Sequence, residues 1–229
     1  MTTIHEWLDH LRSTYRHRND VFNPNFDRRL LQLARAVGNV QDAIRRPANR
    51  PVGAALASVF GWTACVIDHF YKLPILPAIR FKWAGKVCSY CGQLPCVCTV
   101  ARSTNSNDED VLIVKLLNQN SIWGAEDNLS LDDLQSNIHK RYHEVNSRGG
   151  GGLMGCVDRL YREVCEVAQI NLDNHWGSND EALKIKAYYA LELSDVIAWT
   201  LAAADQVPCN LCDELENRYG RDKITAERI

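Results

Sequence analysis

Residues 191–200 read LELSDVIAWT, and residues 54–63 read AALASVFGWT. Set one over the other, 137 residues apart, Leu56 falls on Leu193, Val59 on Val196, Trp62 on Trp199 and Thr63 on Thr200. The earlier stretch belongs to an almost uncharged run, VGAALASVFGWTACVIDHFY at 52–71. Its length and alanine content favour a helix buried on most sides over a pair of strands. The match continues upstream at an offset of 127. Tyr15 falls on Tyr142, Asn19 on Asn146, Leu33 on Leu160, Arg35 on Arg162, Val37 on Val164 and Val40 on Val167. A longer loop around Asp173 to Asp180 takes up the change of offset. A duplicated helical unit, its copies burying apolar faces on each other, explains order and spacing together.

The remaining periodicities are helical too. Ile4, Trp7, Leu8 and Leu11 follow a capping Thr2 or Thr3, and Pro24 interrupts. Leu30, Leu33, Val37, Val40 and Ile44 stripe a second helix. Further helices are expected over Leu76–Trp83, from Ser130 to about Val145, and over Met154–Ile170, Glu181–Val207 and Asn210–Tyr219. Val111–Leu117 reads as a short helix or strand. The expected fold is all-α: tandem bundle units packed as an internal pseudo-dimer, with a small cysteine-rich loop. The units span 1–85 and 130–229, with the cysteine loop at 86–99 and a linker at 100–129.

Composition is that of a soluble globular protein, 46% hydrophobic and 24% charged over 229 residues. The net charge of −2 hides an asymmetry. Residues 1–99 carry 13 Lys and Arg against 6 Asp and Glu, and residues 100–229 carry 13 against 22. The total gives no bias towards nucleic acid. No run of 18 apolar residues argues for a membrane span, and the charged N-terminus has no apolar signal core. A cytoplasmic location is expected.

The two copies differ in their acids. Glu163 and Glu166 fall on Ala36 and Asn39, and Glu192 and Asp195 fall on Ala55 and Ser58. Each acidic pair is i, i+3 and shares a helix face. Such pairs are common on solvated faces; two pairs, both erased in the other copy, point instead to one working site and one retired one. Four carboxylates facing each other in a bundle need a cation. An all-oxygen set suits Mg²⁺ or Mn²⁺, which takes remaining ligands from water and substrate phosphates. Water activated by the cation or oriented by a carboxylate would then attack phosphorus. Relief of repulsion implies that neutralising any of the four acids leaves the metal-free protein as stable or more so. A di-iron bundle wants Glu-x-x-His pairs, which are missing here.

REVCEV at 162–167 and LELSDVIAW at 191–199 resemble the two motifs of the all-alpha nucleoside triphosphate pyrophosphohydrolases of the MazG type. The resemblance covers roughly 130–220, and the degenerate copy resembles the same unit over 1–83. It implies hydrolysis of a (deoxy)nucleoside triphosphate to monophosphate and pyrophosphate with Mg²⁺. Glu163, Glu166, Glu192 and Asp195 become the metal ligands, and one of the glutamates orients water. Family members work as dimers or tetramers of this unit, so a homodimer is a further expectation. The first copy departs from the pattern by lacking all four ligands.

Candidate phosphate contacts are Arg45 and Arg46, which cluster with Arg50, and Lys184 and Lys186, one to two turns before Glu192. These residues fit a solvated surface equally well. Trp176 can stack on a base or anchor its loop. Cys88-x-x-Cys91 and Cys96-x-Cys98 supply four thiols for a structural Zn²⁺, with a redox pair or free thiols as alternatives. Arg80, Lys82 and Lys86 upstream are a weak nucleic-acid footprint. Cys65 and Cys165 read as core. His139 and His143, i and i+4, read as a solvated face. Gly149 to Gly152 reads as a hinge, without the Lys-Ser/Thr of a phosphate cradle. The other class of function compatible with these features is a non-catalytic scaffold or regulatory nucleotide-binding protein with a structural zinc.

Overall fold

The computed structural model describes residues 3–48, 50–70, 73–83, 85, 88, 93–97, 113–114, 129–148, 151–173, 179–207 and 209–220. Among them are eight helices: α1 (Ile4–Phe22), α2 (Phe26–Arg45), α3 (Val52–His69), α4 (Ile75–Trp83), α5 (Leu131–Arg148), α6 (Gly152–Asp173), α7 (Asn179–Gln206) and α8 (Leu211–Tyr219). The linker expected at 100–129 lies almost wholly outside the described residues, as do Cys91, Cys98 and Trp176. Of the segment Val111–Leu117, Ile113 and Val114 are described, both helical.

Local chemistry sets the ends. Thr3 caps α1, accepting from the Glu6 amide at 3.1 Å, and the Glu6 carboxylate accepts from the Thr3 amide at 2.7 Å. Ser130 caps α5 in the same way, accepting from the Asp133 amide at 3.0 Å. Asn25 caps α2 through the Arg28 amide, and Asn210 caps α8 through the Asp213 amide. Helix α1 stops at Asn23, because Pro24 disfavours the helical conformation in the residue before it. The turn into α6 runs through Gly151 and Gly152 at φ 77 and 59, angles that side chains resist.

The stripes read from sequence meet in one core. Leu33, Val37 and Val40 of α2 join Leu160, Val164 and Val167 of α6, and Leu56 and Val59 of α3 join Leu193 and Val196 of α7. Each such side chain, fully buried, contributes about 1.5–3 kcal/mol. Helix α3 is long and apolar enough to cross a membrane by length and composition, and 67% of it is buried inside the bundle, as a central helix would be.

Packing is reciprocal between the halves. Helix α2 lies on α3, and α6 on α7; across the halves, α2 lies on α6 and α3 on α7. The short helices cross over, α4 packing on α7 and α8 on α3. Thr3 and Ser130 form an antiparallel bridge, with the Ile4 amide donating to the Leu129 carbonyl at 3.0 Å. One expectation of burial fails. Cys65 is buried, whereas Cys165 is exposed, on the outer side of α6.

Candidate metal centre

Glu163 and Glu166 stand one turn apart on α6, and Glu192 stands on α7, which packs against it. Each offers a carboxylate oxygen, and these oxygens lie within 4.8 Å of one another. Glu163 and Glu192 are buried, at 4% and 7% exposure, while the Glu166 side chain keeps 45%. Burial pushes the Glu163 carboxyl up to about 8; Asp195 and Glu166 push the same way, and Arg162 opposes them. Burial pushes Glu192 up to about 9, with Asp195 adding and Lys82 opposing. Without a cation these two acids therefore hold their protons at neutral pH. A divalent ion bound among these oxygens would displace those protons.

Asp195 has other partners. Its Oδ2 accepts from Lys82 Nζ at 2.5 Å and its Oδ1 from Trp83 Nε1 at 2.9 Å. Both donors end α4, in the half of the chain without acidic motifs. Lys82 is buried at 8%. Its role was not legible, because 113 residues separate the pair. Arg162, half-exposed, lies 3.6 Å from Glu163 and 3.4 Å from Glu166.

The other expected contacts are scattered. Arg45 and Arg46 are exposed at the end of α2. Lys184 is exposed on α7, its ammonium 5.7 Å from the Tyr188 ring centre, and Lys186 is half-buried. Cys88 and Cys96 are buried with their sulfurs 3.5 Å apart. Cys96 donates its amide to the Arg141 carbonyl on α5, which ties the loop to the bundle. The neighbouring Tyr142 ring meets Trp83 edge-on at 5.8 Å, so the thiols lie two side chains from Asp195.

A second group that can coordinate a metal is His139, His143 and Asp205. The histidines are solvated as expected, at 54% and 42%, but both are gathered by Asp205, at 2.5 and 2.6 Å. The matching Asp68 of α3 takes Arg12 and Arg29 of α1 and α2. In each half, then, an aspartate late in the third helix clamps the first. That recurrence accounts for the histidine group without a metal.

Comparison with protein-family models, with curated proteins and with solved structures yields no match to this chain. The fold and the geometry of the carboxylates therefore carry the functional argument.

Proposed function

We propose that the chain is a Mg²⁺-dependent hydrolase that cleaves a (deoxy)nucleoside triphosphate to monophosphate and pyrophosphate, in the manner of the MazG type. The observation that carries this reading is the convergence of Glu163, Glu166 and Glu192 between two packed helices, with Glu163 and Glu192 buried there. Mg²⁺, or Mn²⁺, would supply positive charge to the phosphates and acidify water there. Glu163, Glu166 and Glu192 would hold the cation, and Asp195, beside them, would be the fourth ligand. One glutamate accepts the proton of the attacking water. Lys82 and Trp83 hold Asp195 in place, and Arg162 offers its guanidinium to phosphate. The substrate is a free nucleotide rather than nucleic acid or a membrane component.

The same reading takes the chain as two copies of one unit in an internal pseudo-dimer. Reciprocal packing, the crossed short helices and the bridge between matching residues Thr3 and Ser130 support it. It also takes the cysteine loop as a structural Zn²⁺ site of Cys88, Cys91, Cys96 and Cys98. Zinc–sulfur bonds of about 2.3 Å in a tetrahedron put sulfurs about 3.8 Å apart, near the separation of Cys88 and Cys96.

Purified protein incubated with Mg²⁺ and a panel of NTPs and dNTPs should release pyrophosphate. Silence with every nucleotide, under Mg²⁺ and Mn²⁺ alike, would refute the enzyme and favour the scaffold. Metal analysis should find about one zinc per chain; free alkylation of all four loop thiols in the native protein would exclude it.

A further inference from the structure

In the half without acidic motifs, the positions of the carboxylates are occupied by a cavity. It has a volume of about 270 Å³, and Ala36, Asn39 and Ser58 line it where the other half has Glu163, Glu166 and Asp195. Four arginines also line it: Arg18 of α1, Arg35 of α2, Arg50 before α3 and Arg218 of α8. Among the described residues, no acidic one lines it. Arg50 is anchored by donating to Ser58 Oγ at 2.9 Å, the atom that replaces the Asp195 carboxylate. Arg218 and Tyr219 end the crossing helix α8 as Lys82 and Trp83 end α4, so the cavity is completed from the opposite half like the carboxylate centre. One wall is aromatic: Tyr15 stacks on Trp62 at 5.9 Å, and Tyr219 meets Tyr15 edge-on at 5.8 Å.

The electrostatic character of the place is thus inverted. The acidic centre attracts a cation, and only through it a phosphate. Here arginines themselves line the space, and guanidiniums are planar donor forks that match phosphate oxygens. Four positive charges, with no carboxylate among the described lining residues, match a di- or triphosphate. The half-buried Trp62 offers a flat apolar surface beside the charges.

We infer that this cavity is a metal-independent binding site for the phosphate chain of a polyphosphate or nucleotide, held by Arg18, Arg35, Arg50 and Arg218. Binding there regulates or retains a nucleotide rather than hydrolysing one: the described residues of its lining include no carboxylate or histidine to act as general base. The inference rests on the cavity's own lining and survives if the carboxylate centre proves inactive.

The test is calorimetric titration of the intact chain in EDTA with inorganic pyrophosphate and, separately, with ATP. One equivalent should bind, more weakly as salt rises. Arg35→Ala and Arg218→Ala should each weaken binding about tenfold or more, and Arg35→Lys should restore part of it. Both arginines are exposed, so these variants should keep the parent's melting temperature. Glu163→Gln should leave metal-free binding in place. ATP binding tighter than pyrophosphate, lost in Trp62→Leu, would put a base on the aromatic wall; equal affinities would mean that the phosphates alone are read. Absence of binding at millimolar pyrophosphate would overturn the inference. So would binding that ignores the arginine changes and disappears in Arg162→Ala or Lys82→Met, since the anion would then sit at the other centre. Pyrophosphate release with Mg²⁺ is a separate measurement, so failure of the enzyme reading and failure of this one are told apart.

Discussion

Asp195 and Glu192 sit one turn apart on α7 and respond oppositely to the loss of charge. Glu192 is buried beside other carboxylates; burial and Asp195 make its ionised form costly, and Lys82 offsets this only in part. Glu192→Gln should therefore raise the urea midpoint of metal-free protein at pH 8 while reducing turnover by about a hundredfold or more. Asp195 holds Lys82, and both side chains are mostly buried, at 13% and 9%. Asp195→Asn should leave that ammonium uncompensated and cost about 3–5 kcal/mol, read by urea unfolding. Asp195 should therefore depart from the other three acids on neutralisation, for a reason that the sequence does not display. Acids three residues apart can be placed on one face from helical geometry alone. A lysine that reaches them from a remote helix cannot. Trp83→Phe removes only the indole donor to Asp195 and should cut activity or metal affinity about 10–100-fold, with little change in the melting temperature.

Elements were legible where one helix carries its own evidence. Thr3 with Glu6, Ser130 with Asp133 and the stripes through Leu33, Val37 and Val40 announce helix starts and buried faces locally. The short helices are legible as helices, but what they pack against is not. Helix α4 has a lysine buried near its end, and the identity of its neighbour, α7, depends on how the halves cross. Crossing also explains a close approach on the other side, where an added Cβ at Gly61 of α3 would lie 3.0 Å from the Tyr219 hydroxyl of α8. Gly61→Leu should force α8 outwards and cost about 1–3 kcal/mol by overpacking. Because Tyr219 lines the arginine cavity, the same change should weaken pyrophosphate binding in EDTA, whereas Thr3→Ala should cost about 1 kcal/mol of stability and leave that binding intact. Calorimetric melting paired with the titration separates these two outcomes.

At the scale of the whole molecule, two buried acids make stability depend on pH and on metal together. Glu163 and Glu192 bind their protons up to about 8 and about 9 in the folded protein, and lose them near the ordinary 4.5 when the chain unfolds. Between those limits the folded state binds more protons than the unfolded one, so stability falls as pH rises. Their contribution is fully present below about pH 4.5 and is lost progressively until about pH 9. Metal-free protein should therefore unfold at lower urea at pH 8.5 than at pH 6.5, and the double variant Glu163→Gln with Glu192→Gln should flatten that slope relative to the parent. Mg²⁺ competes with the same protons, so its affinity should rise over this interval, with protons released on binding. Saturating Mg²⁺ at pH 8.5 should then restore the parent's midpoint by mass action and do nothing for the double variant. The asymmetry of the halves sharpens the outcome: Asn39→Asp, in the cavity half, should leave both the pH slope and the response to Mg²⁺ as they are in the parent. If the double variant keeps the parent's slope and its response to Mg²⁺, the protons and the cation do not reside on Glu163 and Glu192.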